Sequence, residues 1–187
     1  SPDINDRPDA WGGSVENRAR IHLEIIKRCR QEVGDDFPIS VKMNSADFQM
    51  GGFSAEDAVA SAQIIEAAGL DILEISGGTY EQPRLLGLDT LSRNPDRSEK
   101  RRNSTIAREA YFLDYAANIK KTISIPIIVT GGFRTRSAME SAIGNNACEM
   151  IGVGRPLCAD PLSIKKLLNG DIEQLSRYEK SLSFGPW

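Results

Sequence analysis

Four short apolar runs alternate with helical patterns along the chain, and this alternation restricts the fold more than any other feature. Residues 39–43, 70–76, 125–129 and 149–153 read as strands. Between and around them, residues 14–32, 54–68, 109–121, 136–143 and 161–168 carry apolar side chains at helical spacing. Ser14 and Ser54 stand where helix N-caps belong, and Gly34, Gly69 and Gly170 where helices end. In the first helix Ile21, Ile25, Ile26, Cys29 and Val33 are expected on one inward face. The run at 125–129 is apolar without alternation, the pattern of a parallel strand covered on both sides. Strands that alternate with helices imply a parallel sheet joined by right-handed crossovers.

Four strands do not close a barrel, which needs eight strands and about 250 residues. A four-stranded parallel sheet also leaves two open edges, and open edges invite pairing with another chain. The alternation therefore permits a small open α/β domain or the second half of a (β/α)8 barrel, in either case a single domain over residues 1–187.

The strand tips carry the chemistry. The third strand runs into Gly131-Gly132 and the fourth into Gly152-Val153-Gly154-Arg155. Two neighbouring glycine tips and one guanidinium suit a phosphate held by backbone N–H groups and capped by a cation. In a closed barrel the place after strands 7 and 8 serves that purpose. Gly152-Val153-Gly154 lacks the third glycine of a dinucleotide fingerprint and does not stand at a strand–turn–helix junction, which argues against a Rossmann site. Lys42, at the end of the first strand, is either part of this site or a lysine neutralising a carboxylate beside it. Asp71 and Glu74 are three apart on a strand and point to opposite faces, which suits packing or ion pairing better than an acid/base pair.

Other classes find little support. The net charge of -3 gives no electrostatic case for nucleic acid or an anionic membrane, and no apolar run is long enough to span a bilayer. The charged run at 99–102 reads as a solvated face inside a long polar excursion, residues 79–108. Cys29, Cys148 and Cys158 are odd in number and show no metal spacing, which fits a reducing cytosol and no metal site. His22 is the one histidine and sits within a helical pattern, so no catalytic role is assigned to it. Asn5, Arg7 and Asp9 read as a hydrogen-bonded turn leading into the first helix.

The segment SPDINDRPDAWGGSVENRAR resembles the SPxxNxRxDxYGGSxENR signature of the Old Yellow Enzyme family of FMN-dependent NAD(P)H:flavin oxidoreductases, with Trp11 in place of the usual Tyr. The resemblance continues through VKMNSADFQMGGF, LEISGG, REAYFLDYA, TGGFRT and IGVGRPLCADP in matching order. It implies that the chain is the C-terminal half of a TIM barrel, an α/β fold with four parallel strands and about five helices. It also implies FMN as cofactor and NAD(P)H as reductant, with hydride passing to an activated alkene such as an enone or dienoyl thioester. By the same resemblance Lys42 faces the flavin N1 and C2 carbonyl. Gly131, Gly132, Gly154 and Arg155 hold the phosphate, and Phe133 lies beside the flavin.

The family's substrate-anchoring histidine pair and proton-donating tyrosine belong upstream of Ser1, so no catalytic residue is assigned here. The expectation is a cytoplasmic, self-associating chain that binds FMN weakly and is inactive alone. Another FMN or phosphate barrel, such as an α-hydroxy-acid oxidase or an IMP-dehydrogenase-like enzyme, shares the glycine tips but not the N-terminal signature. A non-catalytic fragment that keeps a phosphate-binding or dimerisation surface is the remaining alternative.

Overall fold

The structure, a computed structural model, describes residues 1–47, 51–76 and 113–176. The polar excursion at 79–108, its charged run and the first part of the helix expected at 109–121 lie outside these residues. The order of elements is α1 (Val15–Val33), β1 (Ser40–Asn44), α2 (Ala55–Ala67), β2 (Ile72–Ser76), α3 (Leu113–Lys120), β3 (Ile127–Thr130), α4 (Arg136–Gly144), β4 (Met150–Gly152), α5 (Arg155–Ala159) and α6 (Ser163–Asn169). The four strands form one parallel sheet in sequence order, β1-β2-β3-β4.

The helix ends follow local chemistry. Ser14 and Ser54 accept hydrogen bonds from the N–H groups of Asn17 and Asp57, which would otherwise be orphaned in the first turns of α1 and α2. Gly170 ends α6 in the left-handed conformation at φ 81°, which suits glycine. Asp9 holds Arg7 in a two-pronged ion pair, Asn5 donates to the Trp11 carbonyl, and Arg20 of α1 donates to the Ala10 carbonyl. The N-terminal cluster is thus the turn that seats the first helix.

All the described sheet packs its helices on one face. Leu73, Ile75, Ile127 and Val129 are fully buried there with Ala58, Ala62, Ile65, Ala116 and Ile119. The alternate residues Lys42, Glu74, Ile128, Thr130 and Met150 lie on the other face and are only partly buried or exposed. The expectation that 125–129 is covered on both faces is therefore corrected, because among the described residues no second layer packs against this side. A second correction concerns α1. Ile26 is 1% exposed, whereas Ile21, Ile25, Cys29 and Val33 face outward. The inner face of α1 runs through Ala19, Leu23 and Ile26 instead.

Carboxylates tie down the N-terminal ends of the strands. Asp71 accepts from the Ile39 N–H and from Arg30, Glu66 from the N–H groups of Ser124 and Ile125, and Glu149 from the Ile127 N–H while pairing with Lys120. In parallel barrels the N-terminal end of the strands serves stability and the C-terminal end serves chemistry. Among the described residues, no helix is long and apolar enough to cross a membrane.

Candidate functional site at the C-terminal strand ends

At the C-terminal ends of all four strands lies a cavity of about 160 Å³. Lys42 comes from β1 and Ser76 from β2; Thr130 to Arg134 come from the end of β3, and Gly152 to Arg155 from the end of β4. All six residues singled out from the sequence, Lys42, Gly131, Gly132, Phe133, Gly154 and Arg155, line this one cavity. His22 does not, and faces a separate cavity of about 310 Å³ between α1, α2 and β1.

Glycine is required at two kinds of place here. Gly131 and Gly132 have φ of 133° and 81°, which side-chain-bearing residues rarely adopt. Gly152 has ordinary backbone but no room: a Cβ there would lie 2.7 Å from Thr130 Cβ. At Gly154 a Cβ would meet nothing within 4 Å. Gly131 and Gly132 thus shape the backbone, Gly152 permits the close approach of Thr130, and Gly154 leaves space at the cavity.

Among the described residues, four groups carry charge in or beside the site: Lys42, Glu74, Arg134 and Arg155. Lys42 Nζ lies 2.9 Å from Glu74 Oε1 on the neighbouring strand, where the register sets the two residues side by side. Partial burial pushes the Glu74 carboxyl up, but Lys42 and the nearby Thr130 hydroxyl outweigh it and leave the pKa below the usual carboxylate range. Thr130 Oγ1 is buried and near enough to Glu74 to lower its pKa, although no hydrogen bond of standard geometry joins the two. Arg155 begins α5 on the far side of the cavity, so Gly152-Val153-Gly154 does join a strand to a short helix, which corrects that expectation, while the third glycine of a dinucleotide fingerprint is still absent.

Phe133 is among the residues around the cavity, and it is 1% exposed and part of the core cluster. Arg134 is buried and donates through Nη1 to the Phe133 carbonyl, and its own carbonyl accepts from the Leu175 N–H at 2.7 Å. A bridge between Thr135 and Gln174 extends that contact. The segment after α6 therefore folds back onto the loop that follows β3.

Sequence reasoning left Ser76, Thr130 and Arg134 unnamed, and gave Glu74 as a packing or ion-pairing residue without naming its partner. A signal for Glu74 existed: VKMN and LEIS, aligned at their polar ends, set Lys42 beside Glu74. Asp71, on the opposite side, is held by the Ile39 N–H and Arg30 instead, so both acids are structural ion-pair partners.

The residues present fit a phosphate-bearing group. The donors are cationic, a buried hydroxyl on the wall lacks a well-formed partner, and Gly154 leaves space free. At about 160 Å³ the cavity is smaller than the roughly 300–1,000 Å³ of sites that enclose a whole small molecule, so it suits one end of a ligand.

Comparison with known proteins places the chain in a family and a fold. The profile of the NADH:flavin oxidoreductase / NADH oxidase family matches residues 1–173. The NADH-dependent flavin oxidoreductase iliE of Hypocrea jecorina (strain QM6a) is 39% identical over 166 residues, 88% of this chain and 39% of that protein. The structure of a 2-naphthoyl-CoA reductase in complex with 2-naphthoyl-CoA superposes with a TM-score of 0.73 at 33% identity, over 91% of this chain and 24% of that one. An old yellow enzyme homologue from Zymomonas mobilis has a TM-score of 0.61 at 17% identity, over 97% of this chain and 45% of that one, and so shares the fold. The chain spans less than half the length of each of these proteins.

Proposed function

The chain belongs to the NADH:flavin oxidoreductase / NADH oxidase family, and from that premise we propose that its cavity grips the phosphate end of FMN in an NAD(P)H-dependent reductase. Lys42, Gly131, Gly132, Gly154 and Arg155 would hold FMN, and the flavin would supply hydride transfer from a nicotinamide to an electron-poor substrate. The observation that carries this reading is the shared cavity: Lys42, both glycine tips and Arg155 converge on one space from three strands.

In this reading Arg155 caps the phosphate, because a guanidinium offers paired N–H donors in a plane that matches phosphate oxygens. Gly131 and Gly132 turn the chain sharply so that backbone approaches the phosphate closely. Gly154 leaves the space into which the phosphate ester fits. Lys42 stands toward the ring end and offers positive charge where reduction builds negative charge. The buried core behind Phe133 keeps the loop rigid and excludes water from its back.

The substrate class is an alkene conjugated to a carbonyl, as an enone or an unsaturated thioester. The likeness at 33% identity to a 2-naphthoyl-CoA reductase favours the thioester.

The test is the ratio of FMN to riboflavin affinity rather than either affinity alone. Wild type is expected to prefer FMN. Arg155→Ala is expected to lose about tenfold or more in FMN affinity, the order of a charge-assisted hydrogen bond, with riboflavin unchanged. Equal affinities for FMN and riboflavin in wild type would reject the reading.

A further inference from the structure

Two observations meet on the open face of the sheet. The first is a cross-strand row. Lys42 of β1 and Glu74 of β2 are register partners, and the ammonium and carboxylate lie 2.9 Å apart. The second is that Lys42 lines the same cavity as the glycine tips, while Thr130 of β3 both lines it and stands near Glu74. Glu74 therefore reaches the charged groups of β1 and the wall of β3 from the strand between them.

We propose that Glu74 is a positioning residue that acts through Lys42, fixing its ammonium at the cavity and offsetting part of the charge it presents to the flavin. The inference rests on the proposed function, in which Lys42 faces the flavin ring. A lysine on a flexible stem makes a poor electrostatic fixture unless something holds its end. The paired carboxylate holds it, at the expense of some positive field. Reduced flavin carries more negative charge than oxidised flavin, so it responds to that field more strongly.

Glu74→Gln keeps an oxygen acceptor in the same place and removes the charge. The freed field of Lys42 then favours reduced FMN. The ratio of dissociation constants for oxidised and reduced FMN is expected to shift about two- to fivefold toward the reduced form, the range that a partly exposed ion pair commands. Lys42→Met is expected to shift it the other way. In the Lys42→Met background Glu74→Gln should shift the ratio less than it does in wild type, because the positioning part of its effect needs Lys42. The measurement is a titration of each variant with FMN and with dithionite-reduced FMN under anaerobic conditions.

A second readout needs no cofactor. The Glu74 carboxyl, followed by carbon NMR, should titrate higher in Lys42→Met than in wild type. If Lys42→Met shifts the FMN ratio and Glu74→Gln does not, the inference fails and the proposed function stands. It fails likewise if Glu74→Gln shifts the ratio equally with Lys42 absent, or if the carboxyl titrates the same in Lys42→Met. If Lys42→Met itself leaves the ratio unchanged, the placement of Lys42 at the ring is wrong and both readings fall.

Discussion

Gly152 and Gly154 belong to one short motif, yet the structure gives them different work, and alanine separates the two. At Gly152 the added Cβ would stand 2.7 Å from Thr130 Cβ and closer still to its hydroxyl. Thr130 Cβ belongs to a strand held in register with β4, through Thr130 opposite Gly152, so it cannot rotate away. The strands must separate locally or lose pairing. Such overpacking costs about 1–3 kcal/mol, and at an ordinary urea dependence of about 2 kcal/mol/M the midpoint falls by about 1 M. Gly154→Ala meets nothing within 4 Å, and its φ of −116° is open to any residue. Its stability should stay within about 0.5 kcal/mol of wild type, while FMN affinity falls. The assay is urea unfolding of both variants beside FMN titration. Thr130→Ala should rescue Gly152→Ala in part, since it removes the hydroxyl and methyl but leaves the Cβ contact. A Gly152→Ala protein as stable as wild type would refute the close-approach argument.

Three further outcomes follow from the fold. Ile26→Ala should cost about 2–5 kcal/mol by opening a cavity under α1, whereas Ile25→Ala, at a residue 52% exposed, should cost little; equal losses in urea unfolding would overturn the face assigned to α1. Asp71, Glu66 and Glu149 each have a folded pKa below the ordinary value. For Asp71 the cause is the Ile39 N–H and then Arg30; for the two glutamates burial pushes upward but is outweighed by hydrogen bonds. Stability from such groups is complete above the unfolded carboxylate value of about 4 and is lost as pH falls through the lower folded values. Urea midpoints should therefore drop between pH 6 and pH 3, to a smaller extent in Asp71→Asn, and a flat profile would contradict the assignment. Finally, β1 and β4 are the edges of the described sheet, so the 187-residue chain should self-associate; sedimentation showing a monomer at high concentration would count against that.

Much of the architecture was legible in the sequence because it depends on local signals. Ser14, Ser54 and Gly170 mark helix ends where the structure has them, and the alternation of elements fixed a parallel sheet. The cavity residues were legible because glycines and an arginine at strand tips have few structural uses. What was hidden depends on neighbours distant in sequence. Periodicity put Ile21, Ile25 and Val33 inside, but an apolar side chain says only that burial is favourable, not that a partner is at hand. Ile26 won the core side because α1 rests on α2 there, with Arg18 pairing with Asp57 at 2.9 Å. The contact of Leu175 with the Arg134 carbonyl has no local signature at all, since it joins backbone groups far apart in the chain.

The sequential strand order has a consequence for how the molecule is made. Each strand pairs with the one just before it, so a chain emerging from the ribosome finds the previous edge already waiting. A domain generally folds as a unit, however, so a waiting edge closes into sheet only when the later strands arrive. The glycine tips belong to β3 and β4, and the residues that brace them, Gln174 and Leu175, come later still. The cavity therefore waits on late residues, although Lys42 and Glu74 come from the first two strands. Synthesis delivers the residues of the cofactor grip last, and only the completed sheet can place them.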